Sequence, residues 1–247
     1  HLSSDMLTAE VNGNINFDKV MEDFSFMTSV YAPNFIDSNR FTNYKEDHTY
    51  DITIRFNDFD KFSSLFIPDL SISKGSIMEL DFNSKDTVFS LYTKSEKFRI
   101  KDNVFGNIEI RGKKNKKSNS FELLVEIDNY SLSNQFQIEN IQTAFELNEN
   151  RLSSNLFYQG EDSTNYGKIR LQSKVHSSDH IITEIEELVL GSNENDFWEL
   201  GEGAEINFKE NKLNCSHFSL INQQQELTLN GIVGSKETDE LNISLSE

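Results

Sequence analysis

Few stretches of this sequence could carry chemistry, and each has a simpler structural interpretation. Residues 106–114, GNIEIRGKK, resemble a phosphate-binding loop, but five residues separate the two glycines and no Ser or Thr follows the first lysine. The interior of this segment alternates like a strand. We therefore interpret the run RGKKNKK as a solvated hairpin turn, whose lysines discourage edge-to-edge association of strands.

Two histidines and the single cysteine are the other candidates for metal binding or nucleophilic chemistry. His176 and His180 are four residues apart and are expected to share a face only on a helix. The surrounding VHSSDHII is typical of a turn between strands, and a closed zinc site needs about four ligands, so no metal site is predicted. His217 follows Cys215 closely, but no third polar group accompanies them, which favours a packed thiol over a nucleophile.

Paired carboxylates could do acid–base work, and Glu184, Glu186 and Glu187 raise that question. Glu184 and Glu186 alternate with Ile185, so we interpret them as residues on the solvent-exposed face of a strand. The segment NDFDKF lacks the glycine and the final glutamate of a calcium loop. No G-x-S-x-G, H-E-x-x-H or G-x-G-x-x-G motif occurs in the sequence. We therefore predict no enzymatic activity, no catalytic residue, no metal and no cofactor.

The composition excludes several classes of partner. The 247 residues carry 41 acidic and 23 basic side chains, a net charge of −18, which disfavours binding to nucleic acid or to an anionic bilayer surface. One cysteine allows no intrachain disulfide. No apolar run approaches the ~20 residues of a membrane span, so no transmembrane span is predicted in this segment. The sequence begins with His1, and we expect it to be a mature or excised segment.

Residues 1–57 have the least regular pattern. The stretch LTAEVNGNINF predicts a hairpin around Asn12 and Gly13. Over residues 17–31 the apolar spacing becomes helical, so a short helix competes there with a strand. Residues 32–48 are polar and are predicted to form a loop.

A short helix is predicted over residues 58–67, with Asp58 as its N-cap and Pro68 after its end. The apolar side chains that share one face of this helix are Phe59, Phe62, Leu65 and Phe66.

From residue 70 to residue 247 the sequence predicts a continuous series of strands. Apolar and polar residues alternate, as in QELTLNGIV, and the short connections are rich in Asn, Ser, Asp, Gly and Lys. No crossover helix separates the strands, so the predicted sheet is mainly antiparallel. Nothing divides the chain into two domains, and residues 1–247 are predicted to form one elongated segment.

The apolar face has two interpretations. It could be the core of a sandwich of two sheets, or the lining of an open trough that holds an apolar ligand. The uniform Phe, Ile and Leu content and the lack of long Greek-key connections favour the trough. The predicted fold is therefore all-β: an elongated, twisted, open sheet curled into a half-pipe with an apolar lumen and one or two short helices near the N-terminal part. The candidate lining residues are Phe82, Leu91, Ile108, Ile110, Phe121, Leu123, Val125, Ile127, Phe145, Leu156, Ile169, Leu171, Ile206, Phe208, Leu227 and Leu229.

Two segments carry a resemblance to a known family. The first, DITIRFNDFDKFSSLFIPDLSISKGSIMELDFN, begins at Asp51 and contains a short helix up to Pro68 and a strand opened by Gly75. The second, DFWELGEGAEINFKENKLNCSHFSLINQQQELTLNG, begins at Asp196 and includes Trp198. With these features the sequence resembles the TamB family of the AsmA-like superfamily, through a degenerate pattern over most of the chain.

The resemblance implies a periplasmic protein of a Gram-negative bacterium that is anchored in the inner membrane and reaches a BamA-type outer-membrane partner. It implies bridge-like transport of phospholipid between the two membranes through an apolar half-pipe, contributing to outer-membrane biogenesis. The sequence lacks the anchor and the C-terminal domain of the family, so it is expected to be an interior segment. A scaffold for assembly of outer-membrane β-barrel proteins by strand augmentation is the first alternative. A compact secreted sandwich adhesin is the second.

Overall fold

The computed structural model describes residues 1–41, 44, 47–132, 136–160, 165–193, 196–201, 203–235 and 239–246. In this part of the chain 17 strands form one sheet, and the paired strands are antiparallel from one end of the sheet to the other. The sheet is long, open and curved like a half-pipe, so the predicted all-β fold is confirmed.

Most strands are long, and two helices lie near the N-terminal part. The helices are α1 (Val20–Tyr31) and α2 (Asp60–Phe66), with short 3-10 turns at Phe17–Lys19 and Ser38–Phe41. The strands are β1 (Leu2–Ser3), β2 (Leu7–Asn14), β3 (Thr49–Phe56), β4 (Leu70–Ile72), β5 (Ile77–Asn83), β6 (Val88–Ile100), β7 (Asn103–Asn115), β8 (Ser120–Leu132), β9 (Phe136–Asn148), β10 (Arg151–Gln159), β11 (Tyr166–Ser177), β12 (His180–Asn193), β13 (Asp196–Leu200), β14 (Ala204–Lys209), β15 (Lys212–Asn222), β16 (Gln225–Val233) and β17 (Leu241–Ser246).

Strands follow one another in the sheet almost as they do in the chain. Two positions are filled by pairs of short strands: β4 and β5 pair with the two halves of β6, and β13 and β14 pair with the two halves of β12. The 17 strands therefore occupy fifteen positions. At a spacing of about 4.8 Å, the sheet extends about 70 Å from β1 to β17.

The predicted hairpin at Asn12 and Gly13 is wrong, because β2 continues through both residues and pairs with β3. Gly13 has a φ of +102°, and a Cβ added to it would stand 2.1 Å from the carbonyl oxygen of Thr49. Glycine alone accommodates such a φ together with so close an approach. The Asn-Gly pair therefore marks a tight contact between strands and not a turn.

The ambiguous residues 17–31 form a helix, α1, after a short 3-10 turn. The predicted polar loop over residues 32–48 lies partly outside the described residues. Where it is described, this segment includes a second 3-10 turn, Ser38–Phe41.

The second helix, α2, begins and ends inside the predicted range of residues 58–67. Its predicted N-cap, Asp58, is wrong: Phe59 occupies that position, and the Asp58 carboxylate pairs with the ammonium of Lys61 at 2.8 Å. The side chain of Leu65 lies outside the described residues.

Irregularities in the middle of the strands bend the sheet. The register between β11 and β12 shifts by one residue at Glu186, and another shift lies between Cys215 and Phe218 of β15. The break between β13 and β14 falls between these two bulges in the sheet. Bulges bend a strand and increase its twist, so they contribute to the curvature of the half-pipe.

Candidate functional site

The candidate functional site is the apolar face of the sheet. Directly opposed residues of neighbouring strands point to the same face, so the strand registers show which side chains share it. One line of opposed residues, the central row, crosses the sheet from β3 to β12. Its members are Ile54, Met78, Thr93, Ile110, Val125, Thr143, Leu156, Ile169 and Leu188. On β13, β15, β16 and β17 the row continues through Leu200, Leu220, Leu227 and Leu245.

A second row runs beside the central row on the same face. Its members are Ile52, Leu80, Leu91, Gly112, Leu123, Phe145, Ser154, Leu171, Ile185 and Ala204. Nine of the candidate lining residues lie in these two rows. The other seven are two or four residues from a row member on the same strand, and therefore share its face: Phe82, Ile108, Phe121, Ile127, Ile206, Phe208 and Leu229.

The side chains on this face are only partly covered. Among the candidate lining residues Phe82 and Ile127 are buried, with 2% and 9% of their surface exposed, and the others are half-buried. The accessible surface of the chain is 15561 Å², whereas a compact monomer of 28.5 kDa exposes about 11,000 Å². Neighbouring side chains therefore shield one another sideways, while much of the face lacks the second layer that would bury a sandwich core.

One margin of the face is covered by α1. Met27 and Tyr31 of the helix pack with Tyr50, Leu80 and Phe82 of β3 and β5. The aromatic rings of α1 also reach β6 and β8, with a Phe24–Phe89 centroid distance of 5.4 Å and a Tyr31–Phe121 distance of 5.8 Å. No residue of the central row belongs to this cluster, so α1 covers the face from one side only. Leu188 and Leu220 of the row are buried in a second cluster with Ile185 and Ala204.

A buried polar cluster holds α1 in place. Asp23 of α1 has no exposed surface. Its carboxylate lies 2.9 Å from Nδ1 of His48 and accepts hydrogen bonds from the hydroxyls of Tyr44 and, at 3.3 Å, Tyr50. Burial, and then the charge and hydrogen bond of Asp23, raise the pKa of Tyr50 above its ordinary value. The cluster ties the helix to β3 and to the segment before it.

The opposite face of the sheet is polar and laced with ion pairs. Arg111 of β7 bonds to Glu126 of β8 at 2.9 Å and also pairs with Glu109 on its own strand. Glu187 of β12 pairs with Lys168 of β11 at 2.7 Å. Exposed ion pairs of this kind add little to the free energy of unfolding, but their charged side chains make this face hydrophilic. The sheet is therefore amphipathic along its whole described length.

The histidines and the cysteine that raised the question of chemistry lie on β11, β12 and β15. The expectation that His176 and His180 share a face only on a helix is wrong, since their rings stack at 4.7 Å across the β11–β12 turn. Cys215 is buried on the apolar face, and burial raises the pKa of its thiol, while His217 points to solvent. Within the described residues no group of three or more His, Cys, Asp or Glu side chains could hold a metal ion.

The described helices are also too short and too polar to cross a bilayer.

No family model, no curated protein and no solved structure matches the chain. The largely apolar central row runs for about 60 Å across twelve strand spacings, and a surface of this kind can hold hydrocarbon.

Sequence reasoning missed part of the lining. The small polar residues Thr93, Thr143 and Ser154 lie in the rows, and only the strand registers reveal them. Leu188 was missed for another reason: the bulge at Glu186 moves the apolar face from odd to even residue numbers. The two adjacent glutamates in EIEELVL are the signal that could have located this bulge.

Proposed function

We propose that this chain is the lipid-carrying segment of a bridge-like transport protein of the TamB type. The full-length protein is anchored in the inner membrane of a Gram-negative bacterium and crosses the periplasm. Its apolar groove carries phospholipid between the inner and outer membranes and so contributes to outer-membrane biogenesis. A BamA-family outer-membrane protein is the proposed partner, reached through a region outside this sequence.

The observation that carries the proposal is the central row. From β3 to β17 the opposed side chains of this row are apolar except for Thr93 and Thr143, and none is charged. Dispersion and hydrophobic contacts are non-directional, so an acyl chain on this lane meets no single strong site and can slide. The headgroup can remain in water where the row is only half-buried, as at Ile110 and Val125.

The test is lipid retention by variants of one strand. Val125 lies in the central row of β8, and its neighbour Leu124 points to the polar face opposite Arg111. A charge on the apolar lane is costly in hydrocarbon. We expect the wild type and Leu124→Asp to co-purify with phospholipid, detected by mass spectrometry, and Val125→Asp to lose most of it. A wild-type preparation without lipid, or equal lipid in both variants, would contradict the proposal.

A second candidate function, scaffolding of outer-membrane β-barrel proteins, is favoured by the edge of β17. In the described part of the chain β17 pairs only with β16, and Ile243 and Leu245 are 63% and 64% exposed. An extended strand from a partner can add to such an edge. Photo-cross-linkers at Ser244 and at Val125 separate the two functions: scaffolding predicts protein adducts at Ser244, and lipid carriage predicts lipid adducts at Val125.

The compact adhesin is not supported by the fold. A sandwich needs two facing sheets, whereas the described strands form one sheet with a large accessible surface.

A further inference from the structure

One lysine lies on the apolar face, near the margin that α1 covers. Lys114 of β7 is opposite Phe121 and two residues from Gly112 of the second row. Its ammonium donates to the hydroxyl of Thr87 at 2.6 Å and lies 3.5 Å from the carbonyl oxygen of Asp86. An ammonium has three donors, so Lys114 retains capacity for an additional acceptor at the edge of the groove.

Three more lysines lie in the two adjacent hairpin turns. Lys116 and Lys117 are exposed in the turn between β7 and β8, and Lys85 is exposed in the turn that Lys114 contacts. None of the four forms an ion pair with a described residue. This positive margin stands on a chain whose net charge is −18.

The nearby carboxylates accept hydrogen bonds from asparagine side chains and not from these lysines. Asp86 accepts a hydrogen bond from Asn83 at 3.0 Å, and Glu122 accepts one from Asn115 at 2.6 Å. The hydroxyl of Tyr31, at the end of α1, lies 3.4 Å from the carbonyl oxygen of Thr87. The end of α1 and the two hairpins thus form a corner of the groove, in which Tyr31 and Phe121 provide the apolar surface and Lys114 and the turn lysines line the edge.

We infer that this corner binds the anionic headgroup of a phospholipid whose acyl chains lie on the apolar face. The inference rests on the proposed lipid-carrying function and adds its substrate class: phospholipids with a net negative charge, in preference to zwitterionic ones. Phosphate oxygens accept strong charge-assisted hydrogen bonds from ammonium groups. Over the remaining surface the excess of carboxylates repels such headgroups, so the lysine margin selects them.

The experiment compares two fluorescent lipids, phosphatidylglycerol and phosphatidylcholine, titrated into the whole 247-residue chain. The exposed lysines attract a headgroup with a net negative charge, so we expect phosphatidylglycerol to bind about tenfold more tightly than phosphatidylcholine. The preference should fall at about 0.5 M NaCl, because salt screens exposed charges. Lys114→Gln should lower the preference several-fold, because it should weaken binding of phosphatidylglycerol more than binding of phosphatidylcholine.

Lys174→Gln is the matched control, since Lys174 is exposed on the polar face opposite Ile182. Equal loss of preference in this control would overturn the inference by showing an effect of net charge alone. Equal binding of the two lipids by the wild type would also overturn it, while leaving the proposed function intact. Binding of neither lipid would overturn both. Displacement of phosphatidylglycerol by an equal concentration of glycerol 3-phosphate would reveal a site for free anions, which also overturns the assignment to a lipid.

Discussion

At the scale of single residues, Asp23 is a fully buried carboxylate between an apolar helix and an apolar sheet. Its partners are His48, Tyr44 and Tyr50, and its removal leaves their donors unsatisfied inside the protein. We predict that Asp23→Ala lowers the free energy of unfolding by about 3 to 5 kcal/mol, as for a broken buried pair. Urea denaturation followed by circular dichroism measures this change.

Asp18 provides the control for this prediction. It precedes α1 by two residues and is exposed, so Asp18→Ala should change the free energy of unfolding by less than about 0.5 kcal/mol. Similar effects of the two substitutions would mean that the Asp23 cluster does not anchor the helix.

Individual residues also show where sequence reasoning works and where it stops. The parity of Leu123 and Val125 places them correctly on one face, because a strand repeats every two residues. The same reasoning is wrong at Gly13. Asn-Gly is typical of a turn, but here Gly13 lies inside strand β2 and packs closely against the backbone of β3. Asp23 gives no signal at all, since an acidic residue near the start of a helix is usually solvated.

At the scale of elements, the sequence predicts whether a segment is a helix or a strand better than it predicts what that segment packs against. The apolar spacing of residues 17–31 left both a helix and a strand possible. The helix forms because its apolar side chains pack against Tyr50 and Phe82 at the margin of the sheet. Most helical stability comes from such packing and not from propensity. The strand series beyond residue 70 was predictable from alternation alone. The bulge in β15 was not, because a one-residue shift leaves each half of the strand with a normal pattern. The bulge at Glu186 is marked in the sequence only by its two adjacent glutamates.

At the scale of the whole molecule, a trough and a sandwich differ in how the strands pair, which the alternation of apolar and polar residues does not specify. A strand with one apolar face satisfies either fold. The pairing partners of the strands decide between the two folds. Once the short strands β4 and β13 are set aside, each strand here pairs with the one that precedes or follows it along the chain, so the sheet grows in one direction. Local pairing of this kind needs no long loop closure, and it also carries the apolar face from one end of the chain to the other.

The dimensions of the molecule give the last prediction, which concerns small-angle X-ray scattering. A trough about 70 Å long should have a radius of gyration of about 22 Å, against about 18 Å for a compact domain of 247 residues. Val125→Asp should leave this radius unchanged, because the strand registers and not a closed core set the length of the sheet. In a sandwich the same charge would be forced into a packed core and would expand or unfold the protein. A radius near 18 Å for the wild type would mean that the sheet folds back on itself in solution and seals the lane on which lipid transport depends.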